Sequence, residues 1–170
     1  MRWWTTVLGL AGLAWLGSRV LRRPVEPVRD LDLTRYLGTW FEIARVPKWF
    51  ERGCVGSTAS YALRSDGSVD VLNRCLRGGR LASVHGRAWV PDRSVAGALQ
   101  VAFGPLRRGD YNVLAVDPGY RWAAVGSRSR RAAWLLSRTR SMPGRVRAWL
   151  EGELSRQGFD PARLVDTPQP

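Results

Sequence analysis

The chain has very little histidine or cysteine, and these shortages argue against several classes of site. His85 is the only histidine among 170 residues, and Cys54 and Cys75 are the only cysteines. Without a CxxC pair or a His/Cys cluster, no zinc site is predicted. The sequence also has no GxSxG, HExxH, P-loop or glycine-rich dinucleotide motif. A catalytic triad or a haem would have to use His85, in a predicted strand. We therefore predict no catalytic residue, no metal ligand and no cofactor.

Lysine is nearly absent as well. Lys48 is the only lysine, so 26 of the 27 basic residues are arginine, and the net charge is +13. Such a charge is typical of proteins that bind nucleic acid or an anionic membrane. The arginines are scattered along the whole chain, with the densest runs at 128–131 and 138–147. This spread argues against a nucleic-acid groove and favours a basic surface near anionic lipid.

No apolar run reaches the roughly 20 residues that a membrane-spanning helix needs. The longest uncharged run covers residues 3–18 and ends before Arg19. It is followed by the Pro-rich stretch PVEPVRD, which is typical of a linker. We interpret residues 1–29 as an export signal or membrane anchor, with a hydrophobic helix, plus a linker. The alternative is a helix buried in the core. Export would place the protein in the periplasm or membrane-associated in the cell envelope, for example at the outer membrane.

The rest of the chain reads as short strands separated by turn residues. Their even spacing and hairpin-sized loops predict an antiparallel meander rather than βαβ units. Eight strands are enough to close such a meander into a small barrel. The fold class predicted is therefore all-β, an eight-stranded antiparallel up-and-down β-barrel. The predicted strands are 38–46, 54–64, 68–76, 81–91, 97–103, 110–116, 121–127 and 132–138.

A helical pattern follows the last strand. Apolar residues recur at spacings of three and four from Val146 to Leu154, after Pro143 and before Gly158. The pattern predicts one C-terminal amphipathic α-helix packed on the outside of the barrel. The remaining residues, FDPARLVDTPQP, are interpreted as an Asp-capped turn and a fraying tail.

Three short motifs on this frame resemble the signatures of one family. GTW at 38–40, VDPGY at 116–120 and LLSRT at 135–139 resemble the three lipocalin motifs, in order. The stretches WFEIARVPKWFERGC and YNVLAVD resemble especially the bacterial lipocalins, outer-membrane lipoproteins related to apolipoprotein D. The resemblance covers residues 30–168, which we take as the lipocalin domain. Those bacterial members carry a lipidated cysteine that is missing after the apolar run here, which puts lipid anchoring in doubt.

The resemblance implies structural roles for five residues. Gly38 would turn the chain into the first strand, and Trp40 would lie across the barrel floor with the Arg138 guanidinium stacked on its indole. Asp117 and Tyr120 would belong to the hairpin of the second motif.

Strand alternation extends the prediction from these anchors. If Arg138 and Trp40 point inward, every second residue on the neighbouring strands does so too, unless a bulge intervenes. The residues predicted to point inward are Glu42, Ala44, Tyr111, Val113, Ala115, Trp122, Ala124, Trp134 and Leu136. Large and small side chains alternate on this face, which favours a hollow interior. The alternative is that the aromatics fill a dry core.

The PKWF segment at 47–50 follows strand one and would overhang the mouth of the barrel. Trp49 and Phe50 could line the entrance, with Lys48 or Arg52 facing a carboxylate or phosphate headgroup. The alternative is that both aromatics plug the rim. The predicted ligand-binding residues are Glu42, Trp49, Phe50, Tyr111, Val113, Trp122, Trp134 and Leu136. Glu42 would pair with a nearby arginine.

The two cysteines fall on strands predicted to form a hairpin around 65–67. Antiparallel partners there sum to about 129–133, and Cys54 plus Cys75 gives 129. A cross-strand disulfide is therefore geometrically reasonable, and it would need an oxidising compartment. A disulfide-linked dimer is the alternative.

Together these features predict a binding protein rather than an enzyme. It would carry or store a fatty acid, lysophospholipid or similar lipid in the bacterial cell envelope, as a monomer or weak dimer. The N-terminal segment would provide the membrane contact. One alternative is a calycin-type barrel enzyme, isomerase- or de-epoxidase-like, with Glu42 as its titrating group. The other, a barrel for single-stranded nucleic acid, is not favoured.

Overall fold

The computed structural model describes residues 23–105 and 107–170. Eight antiparallel strands close into a barrel, since each strand pairs with the next and β8 pairs back with β1. The strands are β1 Gly38–Arg45, β2 Cys54–Leu63, β3 Val69–Arg77, β4 Arg80–Trp89, β5 Ala98–Ala102, β6 Arg108–Val116, β7 Trp122–Gly126 and β8 Ala133–Ser137. The predicted fold class is confirmed, and every strand ends within two residues of its predicted limits.

The two ends of the barrel differ in how they are built. A single helical turn, α1 (Leu33–Tyr36), covers one end, which we call the floor. Gly38 follows at φ +89, in the left-handed region that favours glycine, as the chain turns into β1. The loops 46–53, 77–80, 103–108 and 127–132 meet at the opposite end, which we call the mouth.

A second helix, α2 (Gly144–Arg156), packs on the outside of the barrel, as predicted. Its buried side chains, Val146, Leu150 and Leu154, join a cluster with residues from the outer face of the sheet. The ring of Phe159 lies so close to Gly126 that a Cβ there would come within 2.4 Å of it. The outer layer is therefore tightly packed.

The C-terminal tail does not fray. Asp160 caps a short turn as expected, but Val165–Asp166 then forms β9, which pairs with the upper part of β1. Thr167 is buried, and its N–H donates to the carbonyl of Ile43. The tail is ordered because β1 and β2 pair only as far as Phe41, which leaves an edge of β1 to be paired.

Two bulges change which residues face inward. The pairing of β1 with β8 shifts by one residue between Glu42 and Ala44, and that of β6 with β7 shifts between Val113 and Ala115. A shift of one residue moves the following side chains to the other face. The inward predictions for Ala44 and Ala115 are wrong for this reason, because both lie in the outer cluster under α2.

The inward predictions for β7 are also wrong. Trp122 pairs with Ser137 and Ala124 pairs with Leu135, one residue away from the register assumed from the hairpin. As a result Ala123 and Val125 face the interior, while Trp122 and Ala124 belong to the outer cluster. The register of a hairpin depends on its turn geometry, which the spacing alone did not reveal.

The segment before α1 lies against the barrel. Val25 is buried in the outer cluster, and the N–H of Val28 donates to the carbonyl of Val113 at 2.8 Å. The hydrophobic helix predicted near the N-terminus lies outside the described residues. Within the described residues, no helix is both long and apolar enough to cross a bilayer.

Candidate ligand-binding site

The barrel encloses a cavity of about 540 Å³ that runs from α1 at the floor to the mouth loops. This volume lies within the roughly 300–1,000 Å³ of typical small-molecule sites. Most of its wall is apolar. The apolar and aromatic lining residues include Val69, Val71, Leu99, Val101, Phe103, Trp134 and Leu136.

The floor is closed by Trp40, whose side chain is completely buried. The guanidinium carbon of Arg138 lies 3.9 Å from the centre of the indole ring, so the expected stack is present. Arg138 also donates hydrogen bonds to the carbonyls of Leu37 (2.7 Å) and Thr39 (3.0 Å), where the chain passes from α1 into β1. The indole N–H donates to the carbonyl of Tyr36 at 2.8 Å. Arg138, which directly follows β8, therefore connects that strand to the end of α1 and the start of β1.

The hairpin of the second motif holds α1 from the other side. Asp117 accepts hydrogen bonds from the backbone N–H groups of Arg121 and Trp122. Burial alone would raise the pKa of Asp117, but these donors outweigh it and lower the pKa. Tyr120 accepts a hydrogen bond on its hydroxyl from the backbone N–H of Asp32, just before α1. Both residues therefore serve the floor rather than the cavity.

Three tyrosines form a polar spot at the base of the cavity. The hydroxyl of Tyr111 lies 2.9 Å from those of both Tyr36 and Tyr61. Burial raises the pKa of Tyr61 to about 12 and raises the pKa values of Tyr36 and Tyr111 well above the ordinary value. The three hydroxyls therefore stay neutral near pH 7 and can share hydrogen bonds with a polar group of a ligand.

A charged network lies in the wall nearer the mouth. Arg45 donates to the carboxylate of Glu42 at 2.5 Å and to the hydroxyl of Thr167 at 2.7 Å. Glu42 thus lines the cavity and pairs with an arginine, as its sequence interpretation proposed. Arg45 reaches this network because the bulge after Glu42 turns it inward, opposite Trp134.

Glu51 is a carboxylic acid of the cavity wall with a raised pKa. Burial raises its pKa to about 7, and the neighbouring carboxylate of Glu42 adds to the rise. One oxygen of Glu51 accepts from the indole N–H of Trp134 at 3.3 Å, and the other lies 3.6 Å from Nε of Arg45. That second oxygen and Oδ1 of Asn73 are buried, and neither has a hydrogen-bond partner within the described structure. Both residues line the cavity, but these two oxygens are themselves buried in its wall.

The rim combines an aromatic ring with cations. Trp49, Arg52, Arg77 and Arg107 all line the cavity where it meets the mouth loops. The guanidinium carbon of Arg107 lies 5.9 Å from the centre of the Trp49 ring. Lys48 does not line the main cavity and instead donates to the carbonyl of Arg131. Of the two cations suggested for a headgroup, the structure therefore brings Arg52 to the opening.

The predicted disulfide is confirmed. Cys54 and Cys75 are bonded, with their Cα atoms 5.4 Å apart, and the β2–β3 register shifts between Val55 and Thr58 beside the bridge. Both cysteines line the cavity near the mouth, so the bridge fastens two strands at this end.

The structure brings together most of the predicted ligand-binding residues. Glu42, Trp49, Tyr111, Trp134 and Leu136 line the cavity. Val113 faces the interior but is completely buried and does not reach the cavity surface. Trp122 lies outside, where the guanidinium carbon of Arg121 sits 4.1 Å from its ring centre. The backbone of Phe50 forms part of a short 3₁₀ turn, and its side chain lies outside the described part of the structure.

The sequence predictions named no ligand-binding residue on β2, β3, β4 or β5, although all four strands line the cavity. Val69, Val71, Asn73 and Cys75 alternate along β3 and line the cavity, as does Arg74 next to them. The hairpin register that predicted the disulfide also predicts that the β3 residues alternating with Cys75 share its face. These residues could therefore have been predicted from the sequence. The role of Tyr36 could not be found this way, because α1 has no strand partner.

The comparisons with known proteins agree with this geometry. A family model described as a lipocalin-like domain matches residues 31–169. The chain belongs to the lipocalin family. This lipocalin is 39% identical over 151 residues to the outer membrane lipoprotein Blc of Escherichia coli (strain K12), covering 87% of this chain and 85% of the relative. It is 32% identical over 157 residues to apolipoprotein D of Mus musculus, covering 86% and 82%. The resemblance to the bacterial and apolipoprotein D group is thus confirmed.

A solved structure shows the same fold. The major allergen Per a 4 from cockroaches superposes with a TM-score of 0.68 at 20% identity, covering 85% of this lipocalin and 92% of that chain. In the described residues no group of three or more His, Cys, Asp or Glu side chains could hold a metal ion. His85 is exposed and is not among the cavity-lining residues.

Proposed function

We propose that this lipocalin binds a small amphiphile, such as a fatty acid or lysophospholipid, with its apolar chain inside the barrel. The observation that carries the proposal is the apolar cavity of about 540 Å³, which Trp40 and Arg138 close at one end. Each methylene group that leaves water for such a cavity contributes about 0.8 kcal/mol. The energy of binding therefore comes from chain burial.

The headgroup would lie at the rim. Arg52, Arg77 and Arg107 line the opening and provide cations for a carboxylate or phosphate. The cavity thus orders an amphiphile with its polar end outward.

A cavity-filling variant tests the proposal directly. Ala82 lines the cavity on β4, whereas His85 on the same strand does not. For delipidated protein titrated with a fluorescent fatty acid, we expect Ala82→Trp to weaken binding about tenfold or more, and His85→Trp to leave it within about twofold. Absence of saturable binding to the native sequence, or equal loss in the two variants, would contradict the proposal. Native mass spectrometry of protein purified from cells would show whether a lipid co-purifies.

For location, we propose export to the cell envelope, with the N-terminal segment as the membrane contact. The name of the Escherichia coli relative places that protein at the outer membrane, and the Cys54–Cys75 bridge fits an oxidising compartment. Fractionation of cells, with immunodetection of the chain in each fraction, tests this. Recovery in the cytosol with reduced thiols would contradict it.

One observation favours a barrel enzyme as the second candidate. The carboxyl group of Glu51 has a pKa raised to about 7 and lies in the cavity wall, as a general acid or base would. Glu42, proposed for this role from sequence, has an oxygen already held by Arg45 and Thr167. An isomerase- or de-epoxidase-like activity would therefore depend on Glu51. Conversion of a bound hydrophobic substrate that Glu51→Gln abolishes, while binding persists, would support this candidate over simple carriage.

A further inference from the structure

The two ends of the barrel carry very different charge. The four mouth loops contain nine basic residues and one acidic residue, a net charge of +8. The floor segments 30–37, 64–68, 90–97, 117–121 and 138–143 contain six basic and five acidic residues, a net charge of +1. Most of the excess positive charge of the molecule therefore surrounds the opening of the cavity.

Some arginines near the floor pair with carboxylates. At the floor, Arg87 pairs with Asp66 at 2.7 Å and Arg121 pairs with Asp117 at 3.2 Å. At the mouth, seven arginines are exposed, and one of them, Arg77, donates to Sγ of Cys54 at 3.3 Å. Within the described structure, none of the other six lies in an ion pair with a carboxylate. We call these six residues the arginine crown: Arg52, Arg80, Arg107, Arg108, Arg128 and Arg131. The crown is therefore available to anionic groups from outside the molecule.

Two large apolar side chains lie in the same ring. Trp49 is 74% exposed and Leu81 is 68% exposed, the two highest values among the large hydrophobic residues that the structure describes. Leu81 directly follows Arg80 of the crown, and the Trp49 ring lies near Arg107. Trp49 also lines the cavity, so the apolar surface at the rim continues into the barrel.

We propose that the mouth of the barrel docks on a bilayer that contains anionic phospholipid. The arginine crown would lie among the headgroups, and Trp49 and Leu81 would reach the boundary with the acyl chains, where tryptophan is enriched in membrane proteins. The cavity would then open directly onto the lipid. The charge forms a ring around an apolar opening, rather than a groove with aromatic faces for stacked bases, and this favours a bilayer over nucleic acid.

The first experiment determines which end touches the membrane. The full chain has only Cys54 and Cys75, which are bonded to each other, so Ser129→Cys at the mouth or Thr34→Cys at the floor gives a single site for an NBD label. The vesicles contain a lipid-borne doxyl quencher in phosphatidylcholine, alone or with about 30% phosphatidylglycerol. The N-terminal segment is the same in both proteins, so a difference between the labels reports orientation.

We expect the label at position 129 to be quenched on the anionic vesicles and to recover in about 0.5 M NaCl, since salt screens exposed charges. The label at position 34 should remain unquenched on both kinds of vesicle. Equal quenching of the two labels, or equal quenching at position 129 with and without phosphatidylglycerol, would overturn the proposal.

The second experiment tests the crown with a matched charge control. The triple variant R80Q/R108Q/R131Q removes three crown arginines that do not line the cavity. The triple variant R29Q/R93Q/R145Q removes three exposed arginines outside the mouth loops. We expect the crown variant to need a lipid concentration about tenfold higher or more for half-maximal, phosphatidylglycerol-dependent quenching at position 129. The control variant should change it less than about twofold.

Two outcomes of this experiment would overturn the proposal. An equal loss in both triple variants would mean that net charge alone is responsible. A crown variant that loses binding to single-stranded DNA but keeps its vesicle response would identify nucleic acid as the partner. Fatty-acid binding in solution should be unchanged in both variants, so failure of the docking proposal remains distinct from failure of the carrier function.

Discussion

At the floor, the guanidinium of Arg138 is stacked on Trp40 and donates hydrogen bonds to backbone carbonyls, whereas at the mouth Arg52 and Arg80 are exposed to solvent. Arginine thus stabilises the fold at the floor, whereas at the mouth it is exposed to solvent. The difference lies in the partners. At its C-terminal end α1 presents carbonyl groups that need donors, whereas the mouth loops contain a single acidic residue, Glu51.

The largest expected effect compares one tryptophan from each end. Trp40→Ala would empty a completely buried site, and we expect it to lower the free energy of unfolding by about 3–5 kcal/mol. Trp49→Ala, at a position that is 74% exposed, should lower it by less than about 1 kcal/mol. Denaturant unfolding of both variants measures the difference. Similar losses of stability at the two positions would contradict the conclusion that the floor tryptophan stabilises the fold and the mouth tryptophan does not.

The next prediction concerns the covalent link at the mouth. The bridge between Cys54 and Cys75 closes a loop with a sequence separation of 21, so its removal in C54A/C75A should cost about 3 kcal/mol of stability. Denaturant unfolding of the double variant and of the native sequence under non-reducing conditions provides the test. An unchanged unfolding midpoint would show that packing alone holds the mouth strands.

Arg138→Ala should lower the free energy of unfolding by about 2–3 kcal/mol, slightly less than loss of the disulfide. It removes the cation stacked on Trp40 and leaves the carbonyls of Leu37 and Thr39 without their donor. Arg138→Lys should restore little, since an ammonium group lacks the planar fork that reaches both carbonyls. The control is Arg52→Ala, for which we expect a change of less than about 0.5 kcal/mol in thermal unfolding. Full recovery by lysine would show that charge, rather than geometry, matters at the floor.

The smallest effect is a pH dependence from the mouth end. The pKa of Glu51 is about 7 in the folded protein and 4.5 in the unfolded reference, so between these values the folded state binds the proton more tightly. The contribution of Glu51 to stability is therefore fully present below pH 4.5 and is lost as pH rises through about 7. Between about pH 5 and pH 8 the loss is on the order of 2 kcal/mol. Glu51→Gln keeps an acceptor for Trp134 and should remove this part of the dependence.

Melting temperatures at about pH 5 and pH 8 for the native sequence and for Glu51→Gln measure this effect. Asp117 gives a comparison of opposite sign at the floor, since its pKa is lowered, and stability from this group is lost as pH falls. An identical change in melting temperature with pH for the two proteins would contradict the buried, protonated state of Glu51.

Much of the floor could be predicted from the sequence, and less of the cavity wall. Gly38, Trp40 and Arg138 lie within short motifs that resemble those of the lipocalins, and that resemblance implied their roles at the floor. The inward face of β7 and the upper half of β1 depended on a hairpin register and on the bulge after Glu42. Such shifts of one residue leave no clear mark in the hydrophobic pattern, because both faces of these strands are buried, one by the interior and one by α2.

The sequence by itself determined the number and order of the strands and the C-terminal helix, because alternation, helical periodicity and turn residues act over a few positions. The floor residues were implied by the resemblance of three short motifs to those of the lipocalins. Only the tertiary structure decided which arginines act together. Along the chain they are scattered, but in an up-and-down barrel alternate loops return to the same end. Arg52, Arg80, Arg108 and Arg131, which are far apart in sequence, therefore meet around one opening, because long-range strand pairing rather than local sequence sets their distance.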